Sequence, residues 1–405
     1  MNKRFVIGLA SGSSVDGVDA VLAEIQGIGL DMSFQPLLAL HQPYARDLRD
    51  LLQRVGTQGQ LEMRSAALLH RLLGETFAAA ARQVADRASM SLQEVQCLGC
   101  AGHTIWHEPE GRFPSTFALG MSATIAERTG VTTISDFRAR DLALGGQGVP
   151  LAALADYLLF HSPSENRTLI HLGGLARIVH LPAGGRPHST IGFEAVACNL
   201  LLDGLIRRLT GGREQYDPGG KNGVQGRCLD ALLERWLAHP YLQRRPPKSV
   251  PRHCFAAEFI AQSVPMARQQ GCSVNDLLCT ATHFVARAIA GAVRRFLPLD
   301  TLSGRALVSG GGARNGLLWR LLEQQLQGTT LEKTDCYGVS ADARKALGFG
   351  VLAALTVDGV PANLPSATGA SGSRLLGNIT PGSSANWARC LAWMAAETAP
   401  LAMVA

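Results

Sequence analysis

Short apolar runs alternate with longer amphipathic segments along this chain of 405 residues. The runs at 4–7, 168–172 and 306–309 have the length and apolar content of buried strands. Because strand-like and helix-like segments alternate, the pattern favours an α/β fold over an all-α or all-β fold. The segments 216–226 and 244–252, rich in glycine or proline, are predicted loops. Helices are predicted where apolar residues recur at helical spacing, at 61–86, 151–160, 199–209, 281–297 and 317–326.

The first apolar run leads into a turn rich in glycine and serine, Gly8-Leu-Ala-Ser-Gly-Ser-Ser-Val-Asp-Gly-Val-Asp19. Gly12 and Gly17 lack a Cβ and let the backbone approach an anion, while Ser13 and Ser14 can donate hydrogen bonds to it. Asp16 can orient a hydrated Mg²⁺. The turn therefore predicts phosphate binding, with an ordinary hairpin turn as the alternative. It is not a Walker A loop, because no Gly-Lys-Ser/Thr follows.

Two further glycine turns close strand-like runs. Gly173-Gly174 follows the run at 168–172, and Gly310-Gly-Gly-Ala-Arg-Asn315 follows the run at 306–309. Three such turns suggest one divided nucleotide site, as in the sugar kinase, actin and Hsp70 superfamily, whose two related α/β domains close on ATP. A Rossmann dehydrogenase is the alternative, but Gly-x-Gly-x-x-Gly is absent from all three turns.

Length and charge indicate which class of protein to expect. A chain of 405 residues with 46% hydrophobic residues has enough apolar material for two domains. The formal charge of +6 is small for this length and is scattered, so neither a nucleic-acid partner nor a membrane surface is expected. The N-terminus enters a strand without a cleavable or spanning apolar stretch, which predicts a cytoplasmic protein.

The nine cysteines are an odd number and lie mostly in apolar patterns, as reduced core residues do. Cys97 and Cys100 have the spacing of a metal or redox pair. No second Cys-x-x-Cys or histidine pair completes a zinc site, so no protein-bound metal cluster is predicted and core packing is favoured for this pair.

Six segments of the chain are distinctive. The longest is Ser135-Asp-Phe-Arg-Ala-Arg-Asp-Leu-Ala-Leu-Gly-Gly-Gln-Gly-Val-Pro-Leu151. The other five are Gly8–Asp19, Gly102-His-Thr-Ile-Trp-His-Glu-Pro109, Pro246-Pro-Lys-Ser249, Gly310–Asn315 and Asn363-Leu-Pro-Ser-Ala-Thr-Gly-Ala-Ser371. Together these segments resemble the bacterial anhydro-N-acetylmuramic acid kinase family, and the resemblance runs in matching order from the first strand to Pro381.

The resemblance implies a two-lobe actin-like ATPase (ribonuclease H-like) fold with its active site in the cleft between the lobes. The lobes are predicted at 1–135 and 136–385, followed by a C-terminal helix and tail at 386–405, and the family implies a homodimer. The implied reaction uses ATP, Mg²⁺ and water to convert 1,6-anhydro-N-acetylmuramic acid to N-acetylmuramic acid 6-phosphate in cell-wall recycling. A carboxylate deprotonates the attacking water, and the released bridge oxygen attacks the γ-phosphorus.

The family's site residues transfer to matching positions here. Glu194 stands at the position of the catalytic base, and His103, Arg138, Arg140 and Asn199 are implied to bind the sugar. A guanidinium suits the lactyl carboxylate, although a salt bridge between the lobes is the alternative for either arginine. The implied ATP-binding residues are Gly12, Ser13, Ser14, Val15, Asp16, Gly17, Val18, Asp19, Gly173, Gly174, Gly310, Gly311, Gly312 and Asn315.

The chain departs from the family at the catalytic turn. The family pattern is Gly-Tyr/Phe-Asp-Thr-Gly-Pro-Gly-Asn, whereas this chain has Gly192-Phe-Glu-Ala-Val-Ala-Cys-Asn199. The extra methylene of Glu194 displaces the carboxylate by more than about 1 Å, a displacement that can slow a reaction about a hundredfold. Glu194 remains a candidate base if the turn itself has moved.

Other departures fall in the sugar and phosphate regions. His103 stands for a Gln, Met121 for an Asp, and Lys345 for a Glu. His171 and Arg177 stand for asparagines near the second glycine turn. Three hypotheses therefore remain: a kinase acting on the usual anhydro-sugar, a kinase for a more anionic sugar, and a non-catalytic paralogue that binds nucleotide.

Overall fold

The computed structural model describes residues 3–58, 61–251 and 255–396. The strands within these residues are β1 (Lys3–Ser11), β2 (Gly17–Gln26), β3 (Ser33–Pro43), β4 (Val95–Cys100), β5 (His103–Glu108), β6 (Ser115–Leu119), β7 (Thr132–Ser135), β8 (Arg167–Leu172), β9 (Leu175–Leu181), β10 (Ile191–Ala197), β11 (Arg305–Ser309), β12 (Thr330–Lys333) and β13 (Asn378–Thr380).

The α-helices of the same residues pack on the faces of these sheets. They are α1 (Arg46–Gln58), α2 (Met63–Arg87), α3 (Ser122–Thr129), α4 (Phe137–Ala143), α5 (Ala153–Phe160), α6 (Asn199–Leu209), α7 (Asp230–Leu237), α8 (Ala256–Gln270), α9 (Val274–Phe296), α10 (Gly316–Gln325), α11 (Arg344–Val357), α12 (Pro365–Thr368) and α13 (Ser384–Ala396).

The chain divides into two compact units. Residues 1–160 together with 338–405 form unit 1, and residues 161–337 form unit 2. The predicted boundaries were different, because they assigned 136–385 to a single lobe. A chain that returns to its first unit after residue 337 leaves no signal in composition. Of the predicted C-terminal segment 386–405, residues 386–396 belong to α13 and residues 397–405 lie outside the described residues.

Unit 1 is built on a sheet of strand order β13-β7-β4-β1-β2-β3. The first three strands form an antiparallel meander, and β4 and β7 then add in parallel on the other side of β1. The helix α2 covers one face over a core that includes Leu73, Phe77 and Val84.

Unit 2 repeats this topology with the strand order β10-β9-β8-β11-β12. Its β8, β9 and β10 form the antiparallel meander, and β11 and β12 add in parallel beside β8. Strand order 3-2-1-4-5, with the second strand reversed, is the ribonuclease H-like arrangement. Its occurrence in both units confirms the predicted α/β fold of the actin-like ATPase type.

Two glycines allow α11 to lie directly on the sheet of unit 1. A Cβ on Gly8 of β1 would be 1.9 Å from the Ala346 carbonyl oxygen, and a Cβ on Gly99 of β4 would be 2.0 Å from that of Phe349. Both distances are far below contact, so only glycine permits this approach. The close contact fixes the start of α11 beside the end of β1.

The core of unit 2 is formed around α9. Its Leu278, Phe284 and Ile289 are buried, and Phe284 packs against the stacked rings of Trp236 and Phe259. Among the described helices, only α9 has the length and apolar content of a membrane span, and 78% of that stretch is buried in the protein. Its composition is therefore that of a core helix.

The predicted helices are present, with shifts at their ends. The helix predicted at 199–209 has those limits in α6, and those at 61–86, 151–160 and 317–326 correspond to α2, α5 and α10. The helix predicted from residue 281 begins earlier, at Val274, where Ser273 and Asp276 form a capping box. That Ser-x-x-Asp pattern is the signal that could have placed its start.

Cys97 and Cys100 are fully buried in β4, which confirms their predicted role in packing. Burial raises the pKa of the Cys97 thiol far above its ordinary value and that of Cys100 to about 12. Both are therefore neutral thiols at physiological pH.

Candidate functional site

The parallel strands of unit 1 end at one edge of its sheet, where the predicted site residues of this unit begin. Strands β1, β4 and β7 end at Ser11, Cys100 and Ser135. Ligands bind at the carboxyl ends of strands in such sheets. The first glycine turn follows β1, His103 follows β4, and the segment with Arg138 and Arg140 follows β7, so the topology brings these residues to one edge.

The first glycine turn exposes its polar side chains and buries its apolar one. Ser13, Ser14 and Asp16 are exposed, and the Ser14 hydroxyl donates to Asp16 Oδ1 over 2.7 Å. Val15 has a φ of 55°, which costs a β-branched residue about 1–3 kcal/mol, while its side chain is buried in the core. This buried anchor holds the polar groups outward.

The last predicted ATP-binding residues of this segment lie inside β2. Val18 is fully buried, so its side chain belongs to the core. Asp19 Oδ1 is 2.8 Å from His41 Nδ1, and this hydrogen bond raises the pKa of His41 above its ordinary value. Asp16 is therefore the more accessible of the two carboxylates.

A chain of hydrogen bonds links the end of β1 to three other elements of unit 1. The Tyr44 hydroxyl donates to Ser11 Oγ over 2.7 Å, and Ser11 Oγ is 2.9 Å from His103 Nδ1. The ammonium group of Lys345, on α11, donates a hydrogen bond to the Ser11 carbonyl oxygen. A positive charge therefore lies directly before the first glycine turn.

The two predicted sugar-binding arginines follow β7 on α4. Arg138 donates to the Thr104 hydroxyl, and Arg140 donates to the Leu375 carbonyl oxygen over 3.3 Å. Asp141, fully buried between them and the glycine-rich segment, accepts from the Gly148 amide over 2.8 Å and from the side chains of Asn363 and Thr368 over 2.9 and 2.8 Å. Asp141 thus joins two of the segments that carry the family resemblance.

The second and third glycine turns lie side by side in unit 2, because β8 and β11 are parallel neighbours. The ring of His171 lies against both turns. A Cβ on Gly173 would be 2.8 Å from His171 Nε2, and a Cβ on Gly310 would be 3.0 Å from His171 Cε1. His171 Nδ1 is 3.1 Å from Ser309 Oγ, so a polar side chain stands between the turns.

Two predicted asparagines also lie at these turns. The backbone N–H of Asn199 donates a hydrogen bond to the Gly173 carbonyl oxygen, and the Asn199 side chain lies near Gly311 and Gly312. The structure therefore groups Asn199 with the glycine turns of unit 2, while His103, Arg138 and Arg140 lie in unit 1. Asn315 accepts from the Leu318 amide over 3.0 Å and forms the N-cap of α10.

Glu194 lies on β10, and both of its carboxylate oxygens accept hydrogen bonds. Arg177 Nε donates to Oε1 over 2.8 Å, and the Val250 amide donates to Oε2 over 3.0 Å. The residue is 1% exposed. Its pairing with Arg177 follows from sheet register, because the two residues are opposite each other on β10 and β9.

The backbone of Glu194 is fixed as firmly as its side chain. Its amide donates to the Lys248 carbonyl over 3.1 Å, and its own carbonyl accepts from the Tyr241 hydroxyl over 2.7 Å. The register shifts at Ala195, which forms a bulge in β10. The segment 192–199, which departs from the family pattern, therefore includes a bulged strand end in this chain.

The loop that supports Glu194 carries a buried lysine. Lys248 donates to the Tyr241 carbonyl over 3.2 Å, and its ammonium is 4.6 Å from the ring centroids of Tyr241 and Phe296. Burial, together with the nearby positive charges of Arg244 and Arg295, lowers its pKa to about 8. The sequence predicts that this segment is a proline-rich loop and part of the family resemblance, but it does not predict that the loop supports Glu194.

Comparisons with known proteins identify the family to which this chain is similar. A model of the anhydro-N-acetylmuramic acid kinase family matches residues 4–382. Two proteins named anhydro-N-acetylmuramic acid kinase are each 37% identical to this chain. The one from Salinibacter ruber aligns over 94% of this chain and 96% of its own length, and the one from Gloeobacter violaceus over 94% and 100%.

The chain belongs to this family. The family is one of kinases, phosphotransferases that act on a small sugar molecule. Among solved structures, an activator of 2-hydroxyisocaproyl-CoA dehydratase from Clostridium difficile with bound ADPNP is 14% identical, with a TM-score of 0.44 over 86% of this chain and 94% of the other. That similarity is too low to assign the fold, which rests on the strand order of the two units.

Proposed function

We propose that this member of the anhydro-N-acetylmuramic acid kinase family uses ATP and water to convert 1,6-anhydro-N-acetylmuramic acid to N-acetylmuramic acid 6-phosphate, as a cytoplasmic enzyme of cell-wall recycling. Family membership over residues 4–382 carries this proposal. The three glycine turns, each at the carboxyl end of a parallel strand, support nucleotide binding.

The first turn has the oxygen ligands that Mg²⁺ prefers. The exposed carboxylate of Asp16 and the Ser14 hydroxyl lie together, and Mg²⁺ is commonly held by one or two carboxylates with several waters. When bound, the ion would neutralise phosphate charge as the phosphoryl group transfers. Asp16 is the residue proposed to hold it.

Glu194 is proposed as the general base. Arg177 and the Val250 amide fix the direction of its carboxylate, and each carboxylate oxygen keeps a further acceptor site for a water molecule. The geometry supports a positioned base because backbone and side chain are both held. The proposed sugar ligands are His103, Arg138, Arg140 and Asn199, and the homodimer implied by the family belongs to the same proposal.

The Glu194–Arg177 pair also supports a second candidate, a paralogue that binds nucleotide without catalysis. A carboxylate that is 1% exposed and engaged at both oxygens has the surroundings of a structural ion pair. A kinase for a more anionic sugar is the third candidate, supported by the cationic Lys345 and Arg177.

The test is ADP release by purified protein with Mg-ATP, in the presence and absence of the anhydro-sugar. The proposal predicts sugar-dependent release that falls at least about a hundredfold in Glu194→Gln, since a general base contributes about 10²–10⁴-fold. Glu165→Gln is the matched control, because Glu165 also pairs with an arginine of unit 2, Arg305, at the other end of β11.

Three outcomes separate the candidates. Sugar-dependent release that is lost in Glu194→Gln and kept in Glu165→Gln supports the kinase. ATP binding without release, with any anhydro-sugar, supports the non-catalytic paralogue. Release that Glu194→Gln retains contradicts the assignment of Glu194 as base.

A further inference from the structure

Four polar side chains form a row across the sheet of unit 2. Ser309 on β11 is the register partner of His171 on β8, His171 is the partner of Arg177 on β9, and Arg177 is the partner of Glu194 on β10. Register partners project from the same face of a sheet. The two hydrogen bonds within the row, His171 to Ser309 and Arg177 to Glu194, agree with this placement.

The row lies at the end of the sheet where the glycine turns begin. Strands β8 and β11 end at Leu172 and Ser309, directly before Gly173 and Gly310. The His171 ring lies against both of these glycines, and Arg177 is the next side chain along the row. A group bound at these glycine turns therefore lies close to the row of polar side chains.

One edge of the Arg177 guanidinium is hydrogen-bonded to Glu194, and the other edge is available to a ligand. Its Nε donates to the buried carboxylate of Glu194, and within the part of the chain that the structure describes its terminal amino groups have no hydrogen-bond partner. The side chain is 25% exposed, whereas that of Glu194 is 2% exposed. The carboxylate thus lies on the inner side, and the open edge is the accessible one.

A guanidinium fixed in this way suits a phosphoryl group. Its planar donors match two oxygens of a phosphate, and the fixed Nε means that less side-chain freedom is lost on binding. Glycine turns at strand ends are themselves phosphate sites, so the neighbouring ligand chemistry is the same.

We propose that Arg177 binds a phosphoryl group presented at the second glycine turn, and that Glu194 orients the guanidinium for it. This inference deepens the proposed function and rests on it. The phosphoryl group has two possible sources, the terminal phosphate of ATP and the phosphate of the phosphorylated sugar. The two sources are distinguished by measuring each ligand separately.

The test compares dissociation constants for Mg-ATP, AMP and the sugar 6-phosphate by calorimetry, in the wild-type protein and in Arg177→Gln. Loss of a charge-assisted hydrogen bond predicts a weakening of about ten- to a hundredfold for the ligand whose phosphoryl group contacts Arg177, with AMP unchanged. Arg177→Lys keeps the charge without the fork and should weaken the same ligand by less.

Two variants keep the test decisive. Arg305→Gln is the control, since Arg305 lies at the start of β11, pairs with Glu165 and Glu332, and should leave all three dissociation constants unchanged. If Arg177→Gln fails to fold because Glu194 is left buried without its partner, the double variant Arg177→Gln/Glu194→Gln removes that charge and carries the same measurement.

Weakening of ATP or of the sugar phosphate, with AMP unaffected, supports the inference and identifies the source. An equal change for AMP, or a change below twofold for every ligand, overturns it. A wild-type protein that binds ATP and turns over the sugar while Arg177→Gln changes nothing contradicts this inference alone. A wild-type protein that binds neither ligand contradicts the proposed function as well.

Discussion

At the residue scale, the pair of Glu194 and Arg177 shows how one altered position depends on another. The carboxylate is buried, and its guanidinium partner lies opposite it in the sheet. The family resemblance places an aspartate and an asparagine at these positions. The change at position 194 keeps the negative charge, and the change at position 177 adds a positive charge that pairs with it.

The pair predicts strong coupling in stability. Arg177→Gln should lower the free energy of unfolding by about 2 kcal/mol, because it leaves the Glu194 carboxylate buried with only the Val250 amide as a partner. The double variant Arg177→Gln/Glu194→Gln should lose less than the sum of the two single variants. Urea denaturation of all four proteins measures the coupling, and additive losses would show that the pair is energetically unimportant.

The burial of His180 predicts that the stability of the protein depends on pH. It is 1% exposed, its Nδ1 is 3.1 Å from the Thr168 hydroxyl, and burial lowers its pKa to about 4 from 6.5. As pH falls, the unfolded chain therefore binds the proton before the folded protein does. The contribution of neutral His180 to the free energy of unfolding is fully present above pH 6.5 and is lost as pH falls towards 4.

The expected loss is about 3 kcal/mol across that interval. His180→Gln should flatten this part of the pH profile, measured by urea denaturation between pH 4 and 7. A variant whose profile remains parallel to that of the wild type would contradict the assignment to His180.

Most candidate site residues could be named from sequence, but their contacts could not. Short patterns around Gly12, Gly173 and Gly310 carry the prediction, and at Gly310 the backbone itself favours glycine because its φ is 88°. Glu194 has two hydrogen-bond partners, Arg177 and Val250, and both are distant from it in sequence. Their positions beside Glu194 are determined only by strand register and by the loop at 246–250. Asp141 was hidden for the same reason, since its partners Asn363 and Thr368 lie far along the chain.

At the scale of elements, the contact of α11 with the sheet of unit 1 depends on the absence of two side chains. Gly8→Ala should destabilise the protein by about 3 kcal/mol, because the added Cβ meets the Ala346 carbonyl oxygen of the helix backbone. Since that carbonyl belongs to a buried helix, it has little freedom to move.

Gly291→Ala is the matched control for this prediction. Gly291 lies inside α9, and a Cβ there has nothing within 4 Å, so the substitution should stabilise the protein by about 1 kcal/mol through helix propensity. Thermal and urea unfolding of both variants make the comparison. Equal effects of the two substitutions would show that the close helix contact is unimportant.

The apolar periodicity predicts α2, α5, α6, α9 and α10, but it does not predict every helix of the described residues. In α11, every residue from Ala346 to Val357 is buried, so the sequence has no polar face to set a helical period. The helix α8 was also missed, and it contains Pro265, which interrupts the expected pattern. Tertiary packing rather than local pattern determines both elements.

At the scale of the whole molecule, the two units have the same strand order although their sequences show no short-period repeat. The prediction of a two-lobe fold came from three glycine turns and from family resemblance, and the repeated topology confirms the fold class. The limits of the units could not be predicted, because the return of the chain to unit 1 at residue 338 depends on packing of α11 against β1.

The repeated topology places a glycine turn at the end of the first strand of each unit, β1 and β8, and a third at the end of β11. Unit 1 adds the exposed Asp16, and unit 2 adds the row that contains Glu194 and Arg177. In the proposed function, these residues act together in a kinase that opens an anhydro-sugar with water.

The most direct measurement is the mass of the product formed from Mg-ATP and 1,6-anhydro-N-acetylmuramic acid in ¹⁸O-labelled water. The account predicts a phosphorylated sugar with one ¹⁸O atom in the sugar and none in the phosphoryl group, because water attacks the anomeric carbon and the bridge oxygen accepts the phosphoryl group. Labelled inorganic phosphate without a phosphorylated sugar, or no reaction with bound ATP, would contradict it.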